Sequence, residues 1–123
     1  MNKIQFNIFF RNPKYPVIVI SGDVLYSAFE IDELASCCIS SIPREDENHI
    51  KVIDSSGEEF WYSPKHYALS PGLSFRKWTK KSIIELYNKS INAQLSEQSY
   101  SLKSISSKRL GTIVKDICNM LRP

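Results

Sequence analysis

A chain of 123 residues, 42% hydrophobic and 24% charged, has the size and composition of one globular domain, which excludes wholesale disorder and supplies a core without help from metal or disulfide. Its three cysteines, Cys37, Cys38 and Cys118, form an odd set suited to a reducing cytoplasm, and no apolar run is long enough for a membrane span or a signal-peptide core. The net charge of +3 conceals an asymmetry: residues 1–75 carry 6 basic and 10 acidic side chains, residues 76–123 carry 10 and 3, so the molecule is polarised toward charged partners.

Along the chain, Ile4, Phe6 and Ile8 alternate with Gln5 and Asn7, the period of a half-buried strand over residues 3–10. The β-branched run Val17 to Ser21 reads as a central strand, and the two are expected to pair as a hairpin across "RNPKYP". Gly22 and Asp23 read as a break. Ile31, Leu34, Ala35, Cys38, Ile39 and Ile42 then share one helical face, with Ser27 and Glu30 as a capping box and Pro43 as the stop. The opposite face carries Asp32, Glu33, Ser36 and Ser40, so this helix presents acid to solvent.

After the polar "PREDENH", residues 50–54 and 58–62 form the clearest hairpin of the chain, turning at Ser55 to Gly57. Pro64 and Pro71 restrict the backbone, so the segment that follows is expected to leave the sheet near Ser63. Thr79 suits the N-cap of a helix over residues 80–91, with Ile83, Ile84, Tyr87 and Ile91 on one face. Residues 92–105 are poorly patterned and read as loop with a strand near Tyr100. A last helix from Ser106 or Ser107 aligns Leu110, Ile113, Val114, Ile117 and Leu121. The expected fold is one α+β domain, residues 1–123, in which a small antiparallel sheet built from two hairpins packs against about three helices.

Few combinations of side chains could carry chemistry. Zinc favours close ligand pairs, whereas Cys37 and Cys38 are adjacent and would diverge on a helix, and His49 and His66 stand alone. The four glycines are isolated, so no phosphate-cradling loop exists. Ser63 beside His66 lacks the scaffold of a nucleophile elbow. An acid–base pair of His49 and His66 assisted by Lys51 or Lys65 would cleave RNA if the hairpin brought them together. Neither metal nor cofactor is expected, and a non-enzyme is the default.

Two binding surfaces remain. Arg76, Lys77, Lys80 and Lys81 surround Trp78, and Lys108, Lys115 and Arg122 align on the last helix, a pattern that would neutralise phosphates of RNA or DNA beside a stacking ring. Against it, helices commonly carry solvated lysines, and no nucleic-acid-binding motif is present. The other surface combines Trp61, Tyr62 and Tyr67 with Glu58, Glu59 and the acidic Glu45, Asp46 and Glu47, the composition of an interface meeting a basic protein.

In size and overall character, the chain resembles the bacterial immunity proteins of contact-dependent growth inhibition and polymorphic toxin systems, most of all in "GEEFWYSPKHYALSPG" running into "FRKWTKKSIIELYN". No invariant motif accompanies the resemblance, and no residue role carries over. It implies a cytoplasmic protein that inhibits a cognate toxin domain by stoichiometric contact, without a membrane, a cofactor or catalysis. On that view Trp61, Tyr62 or Tyr67 would anchor the partner, and the acids would speed encounter with a nuclease's basic cleft.

Overall fold

The computed structural model describes residues 5–40, 50–72 and 77–122. Six strands and five helices follow in chain order: β1 (Asn7–Ile8), β2 (Val17–Ser21), β3 (Val24–Ala28), α1 (Ile31–Ser40), β4 (Ile50–Ile53), β5 (Glu59–Ser63), β6 (Ala68–Pro71), α2 (Lys80–Asn88), α3 (Ile91–Ser96), α4 (Ser104–Ser107) and α5 (Leu110–Leu121). The strands form one sheet in the order β1-β6-β5-β4-β2-β3. Every pairing is antiparallel except β1 with β6, which is parallel. The fold is therefore α+β, with a mixed sheet in place of the expected antiparallel one.

Local chemistry accounts for most of these elements. Gly22 adopts φ 61°, which lets Gly22–Asp23 close a tight hairpin between β2 and β3. The expected break is thus a turn, and β2 takes β3 and β4 as neighbours, not the segment before it. The capping box expected at Ser27 does not form, because Ser27 lies within β3, paired with Ile18. Glu33 instead reaches back to accept from the Phe29 amide at 3.1 Å. Pro43 lies outside the described residues.

The β4–β5 hairpin forms as its alternation predicts, with Ile50 opposite Tyr62 and Val52 opposite Phe60. Beyond Ser63 the chain does not leave the sheet. It turns and returns as β6, pairing Ser63 with Ala68 and Phe60 with Pro71. Thr79 caps α2, its hydroxyl accepting from the Ser82 amide at 3.1 Å while the Ser82 hydroxyl accepts from the Thr79 amide at 2.9 Å. Residues 91–96 and 104–107 are helical and no strand forms near Tyr100.

Alternation along the strands sends side chains to opposite faces. Val17, Val19, Ala28, Val52, Phe60, Tyr62 and Leu69 meet Leu34 and Cys38 of α1 on one face. Ile18, Leu25 and Ile53 meet Ile83, Ile84, Tyr87, Ile113, Val114 and Ile117 of α2 and α5 on the other. Each fully buried aliphatic side chain contributes roughly 1.5–3 kcal/mol, so the α5 stripe outweighs the ~1 kcal/mol that Gly111 costs relative to alanine. Among the described residues, the cluster on this second face draws on β2, β3 and Ile53 and includes no residue of β5 or β6. No helix among the described residues is long and apolar enough to cross a membrane.

Candidate functional site

On β5, Phe60 and Tyr62 are 0% and 1% exposed, while Glu59, Trp61 and Ser63 face the other way. Tyr62, predicted as a partner anchor, is a core residue. Its ring stacks on Phe6 with centroids 5.7 Å apart, and burial pushes its hydroxyl up to about 12. Glu59 is equally committed: its carboxylate accepts from the Trp61 indole at 2.6 Å and from the Trp78 indole at 3.0 Å, joining the only two tryptophans of the sequence. Gly72 lies against this pair, where a Cβ would sit 2.8 Å from Trp61 Nε1. Glu58 forms an ion pair with Arg11. The nearby turn is closed by Asp54, 2% exposed, whose carboxylate accepts from the amides of Lys14 (3.0 Å), Ser56 (2.9 Å) and Glu58 (3.0 Å) and from the Ser56 hydroxyl (2.6 Å).

Among the remaining predicted residues, Tyr67 is 38% exposed in the β5–β6 turn, beside exposed Lys65 and His66. The His66 amide donates to the Ser63 carbonyl at 3.3 Å, which is turn geometry and not a nucleophile–base contact. Lys51 is exposed directly opposite Trp61. Arg44, Glu45, Asp46, Glu47, His49 and Arg76 lie outside the described residues, so the His49–His66 pair and the acidic "REDE" have no geometry to report. Burial pushes the Cys38 and Cys118 thiols up to about 12 and raises Cys37 as well; none of the three is a thiolate near neutral pH. Among the described residues no three His, Cys, Asp or Glu side chains converge as metal ligands.

Half of the described basic residues of the predicted stripe form internal bonds. Lys80 donates to the Ile105 carbonyl at 3.1 Å. Lys108 binds Asp116 at 2.9 Å and the Tyr100 hydroxyl at 3.3 Å. Arg122 lies 3.5 Å from Glu33 with its guanidinium 4.0 Å over the Phe29 ring. Trp78, half-buried and held by Glu59, is no free stacking platform. Lys77, Lys81 and Lys115 remain exposed.

A concavity that sequence reasoning did not locate runs along the outer side of β3. Strand β3 ends the sheet, and α1 doubles back beside it, so that Ser21, Tyr26 and Ser27 face Asp32, Glu33, Ser36, Cys37 and Ser40 across a groove of about 730 Å³. Four of its walls are the polar face of α1 that helical spacing predicts. Tyr26 is 42% exposed, and Ile31 at the start of α1 is 49% exposed. The edge itself is blunted on both sides of Ser27. The Asn92 carboxamide binds the Leu25 amide (2.8 Å) and carbonyl (3.0 Å) as a neighbouring strand would, and Glu33 takes the Phe29 amide. Only the unrecognised strand β3 hid this groove, and its signal was the Gly22–Asp23 turn between two apolar runs.

Comparison of the chain with protein-family models, curated proteins and solved structures finds no match.

Proposed function

We propose that the protein acts by binding another protein stoichiometrically, as a cytoplasmic immunity protein that covers and neutralises a cognate bacterial toxin domain without cofactor or catalytic step. The observation that carries this reading is the α1–β3 groove: an acidic concavity, held between a helix and a sheet edge, with a tyrosine and an isoleucine exposed beside it. Acids on such a rim accelerate encounter with a basic partner, and partly exposed aromatic and aliphatic side chains anchor it. The exposed carboxylates of Glu30 and Asp32 have no hydrogen-bond or ion-pair partner among the described residues, and Asp32 lines the groove. Glu58 and Glu59 are paired internally, which moves the acidic contact surface from the β4–β5 hairpin to α1.

The internal bonds of Lys80, Lys108 and Arg122 favour the protein-binding reading over the nucleic-acid one, which keeps Lys77, Lys81 and Lys115 exposed. Co-expression with the product of the adjacent upstream reading frame tests the proposal. A 1:1 complex that survives purification, together with rescued growth, is the expected result; a toxic neighbour that neither co-purifies nor is relieved defeats the reading.

A further inference from the structure

Resting on the protein-binding reading, we infer that the α1–β3 groove receives an arginine side chain carried on an extended segment of the partner. Its guanidinium stacks on Tyr26 and binds Asp32, and the segment's backbone carbonyl accepts from the Ser27 amide.

The molecule already contains the same arrangement, filled from within. At the N-terminal end of α1, the Arg122 guanidinium lies 4.0 Å over the Phe29 ring and 3.5 Å from the Glu33 carboxylate. One aromatic of β3's end and one carboxylate of α1 thus hold a guanidinium between them. Tyr26 and Asp32 offer the same two groups inside the groove, a partly exposed ring and a carboxylate with no internal partner, and no guanidinium of this chain pairs with them among the described residues.

Donor chemistry selects arginine over lysine. Asp32, Ser36 and Ser40 are spaced four apart and form one column of oxygen acceptors along α1. A planar guanidinium with five donors can bond a carboxylate and a hydroxyl at once while its face stays on a ring; an ammonium presents a compact, strongly hydrated charge. The volume of about 730 Å³ falls within the range of ordinary ligand sites, roughly 300–1,000 Å³.

The sheet edge fixes how the segment lies. Both Leu25 backbone groups are bound by Asn92, so its N–H and C=O point away from β2 at the sheet edge, and the period of two along a strand points those of Ser27 the same way. The Phe29 amide, next in that series, is taken by Glu33. Between these two blocks the Ser27 amide has no partner among the described residues; its carbonyl has a long contact of 4.0 Å from the Cys37 thiol. A full added strand is excluded by Asn92 and Glu33, while a single backbone bond is accommodated. The partner is therefore held by a side chain in the groove and registered by one main-chain contact.

Titration of the isotope-labelled full chain with acetyl-Gly-Arg-Gly-amide, followed by amide resonances, tests the inference. Saturable shifts are expected at Ser27 and its neighbours in β3 and α1. The citrulline peptide, equal in shape but uncharged, should give none, and the lysine peptide should bind more weakly. Asp32→Asn should lower arginine-peptide affinity roughly tenfold, the scale of one charge-assisted hydrogen bond. Since Asp32 is exposed, the variant's spectrum should otherwise match the parent's. Equal shifts with arginine and citrulline peptides, shifts centred elsewhere, or no saturable shift would each overturn the inference. Failure here alongside an intact toxin complex removes the groove and leaves the binding reading. Peptide binding with no complex removes the binding reading instead.

Discussion

The β4–β5 hairpin and the α1–β3 groove divide the molecule's polar chemistry in opposite ways. The hairpin holds the densest run of versatile side chains in the chain, yet Asp54, Glu58 and Glu59 each bind donors of the protein itself. The groove draws on a sparser set, from Ser21 to Ser40, and leaves the Asp32 carboxylate without a partner among the described residues. Density of reactive groups in the sequence thus marks a network that closes a turn and joins two tryptophans. Capacity for a partner lies where a strand edge and a helix face meet, and neither looks chemical when read alone.

The sharpest way to break this contrast is to remove one carboxylate from each region. Asp54→Ala strands three backbone amides at a buried site and should cost about 3 kcal/mol of stability, since each unmet buried donor costs roughly 1–3 kcal/mol and neighbouring waters recover part of it. Asp32→Ala, at an exposed position, should change stability by less than ~0.5 kcal/mol. Urea denaturation of the two variants reads the difference directly. Similar losses in both would erase the distinction between a structural and an available carboxylate.

A smaller effect sharpens the structural half. Glu59→Gln preserves shape but leaves one carbonyl oxygen for two indole donors and sets an amide NH2 where an acceptor was needed. A loss of about 1.5 kcal/mol is expected, with a change in tryptophan emission from both Trp61 and Trp78. Emission that changes without loss of stability would make the bridge a spectator.

How much of this was legible in the sequence follows from how local each determinant is. The β4–β5 hairpin was plain because alternation and turn lie within fifteen consecutive residues, and the Thr79 cap needs only Ser82. The pairing of β1 was not, because Asn7 and Ile8 find Ala68 and Leu69 across the sheet, and nothing local encodes a parallel partner. Val17 to Ser21 went to β3 because a two-residue turn closes at far lower entropic cost than a loop through "RNPKYP". Ser27 looks like a cap only if the residues before it are irregular; once Val24 to Ala28 pair with β2, it is a strand residue. Pro71 suggested an exit from the sheet, yet it sits opposite Phe60 in β6. At the site, alternation separated Trp61 from Tyr62 correctly but could not say which face α1 covers, and that put Tyr62 in the core. The acidic face of α1 was readable from spacing alone. The groove it walls required β3.

A third polar cluster distinguishes commitment from burial as the cause of the contrast, because it is bonded internally like the hairpin but lies nearer the surface. The Tyr100 hydroxyl donates to Asp116 at 2.6 Å and Lys108 donates to the same oxygen at 2.9 Å. These bonds, Tyr100's first, hold the Asp116 carboxyl below its usual value. Burial, and then the bond to Asp116, raises Tyr100, and the bond to Asp116 raises Lys108. A carboxyl lowered in the folded state contributes stability that is complete above its unfolded value, about pH 4, and is lost as pH falls through the folded one. Groups raised in the folded state contribute below their unfolded values, near pH 10 for Tyr and Lys, and the contribution is lost as pH rises through the folded ones. The stabilisation should therefore be level between roughly pH 4 and 10 and decline outside that window. Asp116→Asn should destabilise less than either substitution in the hairpin, and the gap between variant and parent should stay level from neutrality to about pH 4 and narrow below it, as pH falls through the lowered Asp116 value. A gap that stays constant over that range in denaturation curves would show that the carboxylate's charge contributes nothing there, and would leave burial, not bonding, as what separates the hairpin from the groove.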